Sequence, residues 1–228
     1  IMINSLGLIC GSRFGRGLFN YGGVRFNIDA EVRKQLLANM RSVRDDIFHI
    51  NEMMFSSVGA LSRFENTGKV SHEDAVTAGL VGIAGRSCDV KTDTRVDLPY
   101  GAYRYAHLSM MTMQSGDVFA RAKLRSLEID ESFRYIIEQL ENLPETGTLS
   151  PAGHMQENSA VVSITEGFRG EIVHIAVTDS QGKLVQYKIK DPSFNNWYGL
   201  SLALRNTAIS DFPLCNKSFD LSYAGHDL

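Results

Sequence analysis

Residues 29–64 read DAEVRKQLLANMRSVRDDIFHINEMMFSSVGALSRF. Within them Val32, Leu36, Leu37, Met40, Val43, Ile47, Ile50, Met53, Met54 and Val58 recur at steps of three and four, the period that lines one face of an α-helix. The spacing predicts one long helix or a kinked pair, with Asn27 or Asp29 as its N-cap. A stripe of that length sets a mainly α fold around it. Met53 and Met54 read as core filling, and His49, among apolar neighbours, as a structural histidine.

Two further helices continue this pattern. Ser71 followed by Asp74 approximates a capping box and starts a helix that ends at Gly79. From Gly116 to about Leu143, apolar residues including Val118, Leu124, Phe133, Ile137 and Leu140 give a third amphipathic helix, its polar face made of arginines and glutamates, stopped by Pro144 and Gly147. Residues 145–157 then read as an exposed, mobile linker around Pro151 and Gly153. Residues 160–165, 171–178 and 184–190 are β-branched or alternating, and Asp179 to Gly182 form a hairpin turn, so a small antiparallel sheet is expected near the C-terminus. Asp191-Pro192-Ser193 opens a last helix through Trp197 and Leu200. The fold class is therefore α+β, mainly α, and the 228 residues are expected to form one domain.

Before the long helix lies SRFGRGLFNYGGVRFNID, rich in glycine and arginine. With no GxxxxGK[ST] pattern present, its glycines read as turns and its arginines as partners for acids elsewhere in the chain. The opening Ile1-Met2-Ile3 has the look of an apolar segment entered midway, which suggests a piece of something longer. A net charge of −3 and the lack of a basic block argue against nucleic-acid binding. Three widely spaced cysteines suit a reducing compartment rather than a disulfide framework.

Residues 85–103, GRSCDVKTDTRVDLPYGAY, break the helical pattern with alternating charges at Arg86, Asp89, Lys91, Asp93, Arg95 and Asp97. Composition alone makes this a solvated loop. The mixture with Cys88, Tyr100 and Tyr103 equally suits a segment threaded into a polar interior, where ions must be paired.

SRFGRGLFNYGGV, TGKVSHEDAVTAGLVGIAGRSCDVKTDTRVDLPYGAY, TEGFRGEIVHIAVTDSQGKLVQYKIKDPSF and SDFPLCNKSFDLSYAGHDL, in that order, cover essentially the whole chain. Together they resemble the family that joins the 49-kDa, quinone-proximal subunit of respiratory complex I to the large subunit of nickel–iron hydrogenases, in its membrane-bound, hydrogenase-4-like and formate-hydrogenlyase-like branch. The resemblance implies the C-terminal part of such a subunit. It implies a place in an electron-transfer complex of the NADH:quinone oxidoreductase type, with iron–sulfur and membrane subunits as partners, quinone as substrate, and a peripheral position on the cytoplasmic side of the membrane. The isolated piece is expected to be inactive.

Carried over by motif, Arg86 matches the arginine that lies beside the metal site of the hydrogenases and in the quinone-site core of complex I, Asp93 and Arg95 match the D-x-R pair that follows, and the three take the catalytic role. Asp97, Tyr100, Glu166, Arg169 and Glu171 form the supporting shell, and Pro192 and Phe194 match the turn into the last helix. Leu98 replaces a polar residue common in the family. The chain lacks any CxxC pair, so no nickel–iron centre and no iron–sulfur cluster is expected on it; Cys215, with Ser218 where a second cysteine would fall, is the residual metal candidate. No GxGxxG turn follows a strand, so the nicotinamide nucleotide is not expected to bind here. Two alternatives remain: a true nickel–iron hydrogenase subunit, and a redox-inactive scaffold that docks its partners.

Overall fold

A computed structural model describes residues 1–144, 147–151 and 153–225. It is α+β and mainly helical, with a three-stranded antiparallel sheet near the C-terminus. Its contacts group into two compact units, residues 1–54 with 129–154, and residues 55–128 with 155–228.

The first unit holds α1 (Met2–Cys10), a short hairpin of β1 (Phe19–Asn20) and β2 (Gly23–Val24), most of α2 (Ala30–Ser56) and the later turns of α7 (Val118–Glu141). Asp29 caps α2, its Oδ1 accepting from the Val32 N–H at 2.8 Å. The helical stripe then buries Leu36, Met40 and Val43 against Phe133 and Leu140 of α7, with Ile9 of α1 packed alongside. The stripe does not stay buried to its end. Ile50 and Met53 are exposed, and so is His49, which contacts the Phe48 ring rather than a core. The expected kink falls at Ser57, which leaves the helical conformation and caps α3 (Val58–Phe64) by accepting from Ala60 N–H.

The glycine- and arginine-rich stretch forms the β1–β2 hairpin rather than a simple turn. Residues 147–151, expected to be mobile, hold it in place: Val24 N–H donates to Thr148 O at 2.9 Å and Ser150 N–H to Gly22 O at 3.0 Å. A Cβ at Gly22 would fall 1.9 Å from Ser150 O, so this close backbone pairing requires glycine there. Glu145, Thr146 and Ala152 of the expected linker, and His226 to Leu228 of the tail, lie outside the described residues.

The second unit is built on a core of Val70, Ala75, Leu80, Cys88, Val118, Leu200, Cys215 and Phe219. Ser71 caps α4 (His72–Thr77) as expected, accepting from the Asp74 N–H at 3.0 Å. The charged segment is more ordered than a loop: it contains α5 (Gly82–Arg86), α6 (Thr94–Asp97) and a 3-10 turn over Gly101–Tyr105. Strands β3 (Ala160–Gly167), β4 (Gly170–Thr178) and β5 (Leu184–Lys190) pair in the order β3-β4-β5, and Asp179 closes the β4–β5 turn by accepting from Gln181 N–H and Lys183 N–H. Asp191 likewise accepts from Ser193 N–H to begin α8 (Ser193–Ala203), and α9 (Phe212–Phe219) completes the unit.

One backbone contact positions everything that follows. Gly82 at φ 61° and Gly170 at φ 134° meet so closely that a Cβ on Gly82 would lie 2.4 Å from Arg169 O, and one on Gly170 would lie 2.9 Å from Gly82 N. Buried Asn196 of α8 locks the contact by accepting from Val81 N–H and donating to Val81 O and Arg169 O. The start of α5, and with it Arg86, is thereby pinned against the β3–β4 turn.

Candidate active site

Arg86 ends α5 with only 2% of its surface exposed. Burying a guanidinium alone costs several kcal/mol on the order-of-magnitude scale of ion desolvation, so its partners decide whether the fold tolerates it. Nη1 donates to Thr92 O at 3.0 Å and to Glu166 Oε1 at 3.3 Å, and lies 3.4 Å from Asp93 Oδ2. Nη2 donates to Glu128 Oε1. Its Nε has no partner among the described residues.

The second cation is Arg95, which grips Asp93 through both ends of its fork, Nε to Oδ1 at 2.9 Å and Nη2 to Oδ2 at 2.6 Å. Its Nη2 is also 3.8 Å from Glu128 Oε2. Asp93 does a further job as N-cap of α6, accepting from the Arg95 N–H, while Asp97 reaches back to accept from the Asp93 N–H at 2.8 Å. Glu166 at the end of β3 accepts from Thr94 N–H, and its own N–H donates to Tyr100 Oη at 3.1 Å. The guanidinium groups of Arg86 and Arg95 thus face the carboxylates of Asp93, Glu128 and Glu166, and the Arg125 charge acts on Glu128 as well.

Asp93 and Glu166 are held in opposite ways. Burial pushes Glu166 above the usual carboxylate range and the neighbouring Asp93 charge adds to this, against the opposing pull of Arg86 and the Thr94 N–H. Burial also acts to raise Asp93, but the Arg95 fork and the Arg86 charge outweigh it and hold Asp93 below its ordinary value. Arg95 is raised by its hydrogen bonds to Asp93 and stays charged. The Tyr100 hydroxyl is raised, chiefly by burial. Between Asp93 and Glu166, Glu166 is therefore the one set up to hold a proton.

The cluster opens onto a cavity of about 120 Å³ lined by Asp93, Asp97, Glu166 and Glu171 with Val81, Gly82, Thr92, Thr94 and Leu98. Glu171 pairs with Lys190 at 3.1 Å on this side. The space admits a few waters, each occupying roughly 30 Å³ in the liquid, and is well below the roughly 300–1,000 Å³ of small-molecule sites. Its acidic lining and its size do not fit a quinone ring.

Other sequence-predicted residues lie elsewhere. Arg169 turns away from the cluster and donates from Nε to Asp220 O at the end of α9. Pro192 is buried, whereas Phe194 is exposed. Cys215 is buried beside Gly68 and Arg121, and no group of three or more potential metal ligands exists among the described residues. Burial raises the Cys215 thiol, and a guanidinium next to it is a poor setting for a metal cation.

Sequence reasoning missed Glu128, which joins Arg86 to Arg95. It was hidden on the polar face expected for α7, where Arg121, Arg125 and Glu128 recur at steps of four and three. That spacing is the helical signature of a single face, and this face turns inward: Arg121 is 1% exposed.

Comparison with known proteins shows the family. The family model described as respiratory-chain NADH dehydrogenase, 49 Kd subunit, matches residues 1–159 and 148–227. The chain belongs to this family. Among the curated relatives of this 49-kDa-family chain, hydrogenase-4 component G of Escherichia coli (strain K12) is 30% identical over 96% of this chain and 37% of its own length. An NADH-quinone oxidoreductase subunit of Bacteroides thetaiotaomicron is 29% identical over 79% of this chain and 34% of its own. The chain thus spans little more than a third of either relative. A protein of the membrane-bound sulfane sulfur reductase, an archaeal respiratory membrane complex, shares the fold with a TM-score of 0.88 at 22% identity, over 99% of this chain and 63% of that one.

Proposed function

We propose that this 49-kDa-family chain forms part of the redox-site subunit of an electron-transfer complex of the NADH:quinone oxidoreductase type, and that its buried charge cluster handles protons beside the redox centre. The observation that carries this reading is Glu166: a buried carboxyl paired with Arg86, on the wall of a water-sized cavity that Asp97 and Glu171 also line. Glu166 takes up a proton from the cavity and returns it when the surrounding charge changes, while Arg86 and Asp93 set how readily it does so. Thr94 N–H and Tyr100 Oη fix the position of the residue throughout. The family and the names of the relatives support the setting, with iron–sulfur and membrane subunits as partners and quinone as the electron acceptor. Among the described residues no helix is long and apolar enough to cross a membrane.

The test uses the parent complex with Arg86→Ala, Asp93→Ala and Glu166→Gln. The reading requires quinone-linked turnover to fall, by about 10²-fold or more for Glu166→Gln if that carboxyl is the proton carrier. Full turnover in all three, with the complex still assembled, would instead establish the redox-inactive scaffold, for which the exposed Leu98 in place of a polar residue is the supporting observation.

A further inference from the structure

Strand register puts three ionisable side chains of the second unit on one face of the sheet. Glu166, next to the end of β3, stands directly opposite Glu171, near the start of β4, across the turn between Gly167 and Gly170. Lys190 of β5 stands opposite Val173, two positions along β4 from Glu171. Residues directly opposite each other, and residues two apart on one strand, share a face. The three side chains therefore form a row, and exposure rises along it: Glu166 is 6% exposed, Glu171 34% and Lys190 38%. Lys190 Nζ donates to Glu171 Oε1 at 3.1 Å.

Glu166 and Glu171 line the same cavity of about 120 Å³, together with the polar residues Thr92, Asp93, Thr94 and Asp97. A polar space of that size holds water, because one molecule needs roughly 10–15 Å³ of such volume and two to four polar partners, which these walls supply. The acids on the wall are engaged differently. Glu166 is committed to Arg86 and to the Thr94 N–H. Asp97 is exposed, but its Oδ2 serves α6 by accepting from the Asp93 N–H. Glu171 meets Lys190 at the more exposed end of the row. A partly exposed ion pair of this kind adds little to stability, so the sheet does not depend on Glu171 to fold.

We propose that Glu171 is the outer proton-exchange residue for Glu166, acting across the waters of this cavity, and that Lys190 is its positioning residue. The inference rests on the proton-handling role of Glu166 and names the group that feeds it. A proton leaves the Glu171 carboxyl for a cavity water, and that water passes one of its own protons to the Glu166 carboxylate. Glu171 is left as a carboxylate and regains a proton from solvent. The return of the proton follows the same groups in reverse order. Lys190 keeps its charge throughout and holds the Glu171 carboxyl on the cavity wall.

The test is quinone-linked turnover of the parent complex carrying Glu171→Gln, Asp97→Asn, Lys190→Met or Lys190→Arg, with and without acetate as a small diffusible proton carrier. Glu171→Gln should lower turnover by about tenfold or more. The loss should shrink as pH falls, because solvent then delivers protons more readily, and acetate should restore most of it. Lys190→Met should give a smaller, acetate-sensitive loss that Lys190→Arg does not show. Any loss in Asp97→Asn should not respond to acetate. Should Glu171→Gln fail to assemble, Glu171→Asp, which keeps the carboxyl on a shorter stem, should show the same acetate-sensitive loss in weaker form. Undiminished turnover in Glu171→Gln, a loss that neither acetate nor lower pH relieves, or an acetate-sensitive loss in Asp97→Asn instead would overturn the proposal, and a slow Glu166→Gln variant would still leave the role of Glu166 standing. Full turnover in Glu166→Gln would overturn both.

Discussion

Two arginines are buried to nearly the same depth in the second unit, and they are held in opposite ways. Arg86 sits among carboxylates, with Asp93, Glu128 and Glu166 all within ion-pair reach. Arg121 has no carboxylate at that range among the described residues; it donates to Ser218 Oγ at 2.9 Å, Gly116 O at 2.8 Å and Gly68 O at 2.9 Å, and its guanidinium lies 4.3 Å from the centre of the Phe219 ring. Burial draws Arg121 down to about 10, yet neutral oxygens satisfy every edge of its fork. Both arrangements permit burial, but they differ in what they can do. A cation held by carbonyls ties three chain segments together and has no proton to exchange near neutrality. A cation held by carboxylates keeps beside it a buried acid, Glu166, that can change its charge.

Removing Arg86 should expose this contrast most strongly. Arg86→Met leaves Glu166 without its guanidinium partner, and breaking such a buried network costs about 3–5 kcal/mol. Glu166, already raised, then loses the Arg86 charge that draws it down, so its affinity for protons rises further in the folded state. Groups whose folded pKa is raised give stability that is present at low pH and lost as pH rises through the folded value, so the variant should recover between pH 7 and pH 5 in urea titrations. Equal loss at both pH values would show that the cluster is held together by something other than charge.

Gly82→Ala should come next, at about 2–4 kcal/mol, because it combines a left-handed conformation with a backbone collision at Arg169. It also sharpens the comparison. It should separate Glu166 from Arg86 while leaving the Arg121 contacts intact, which amide exchange at Gly68 and Gly116 would reveal. Arg121→Met should cost about 1–3 kcal/mol for the three acceptors left without donors. Unlike the loss of Arg86, that cost should not vary between pH 5 and pH 8. A pH-dependent loss would mean that Cys88 or Cys215 ionises beside it.

The smallest effect is expected from Glu166→Gln, within about 1 kcal/mol at low pH, where the native carboxyl is itself protonated. Folding the native chain raises the Glu166 value above its usual 4.5, so native stability should decline as pH climbs through the raised value. The glutamine variant should lack that decline. Asp93 has the opposite sign: its folded value is lowered, so its contribution is present above the ordinary aspartate range and disappears as pH falls below it. Denaturant midpoints measured across pH separate the two slopes.

The helices and the sheet were largely legible in the chain, because periodicity and turn chemistry are local. The stripe from Val32 to Ile47, the Ser71 and Asp29 caps and the Asp179 turn all act over a few residues. The hairpin at residues 19–24 was not legible, since its two-residue strands depend on Thr148 and Ser150, more than a hundred positions away. Nor was the end of the α2 stripe, where Ile50 and Met53 have the right spacing but are exposed.

The candidate site divides along the same line. Residue types and their order were enough to single out Arg86, Asp93, Arg95 and Glu166, because the charges recur within motifs that resemble a family loop. Sequence could not say whether that segment is solvated or interior, since burial of an ion depends on which opposite charges the fold supplies. Glu128, forty-two positions from Arg86, and the Gly82–Gly170 contact that brings β3 against α5 provide that answer. Arg169, from the same motif as Glu166, goes instead to the end of α9, because successive positions around the tight β3–β4 turn point to different surroundings. Charge pattern names the candidates; packing determines which of them share a dielectric environment close enough for one to govern another's proton.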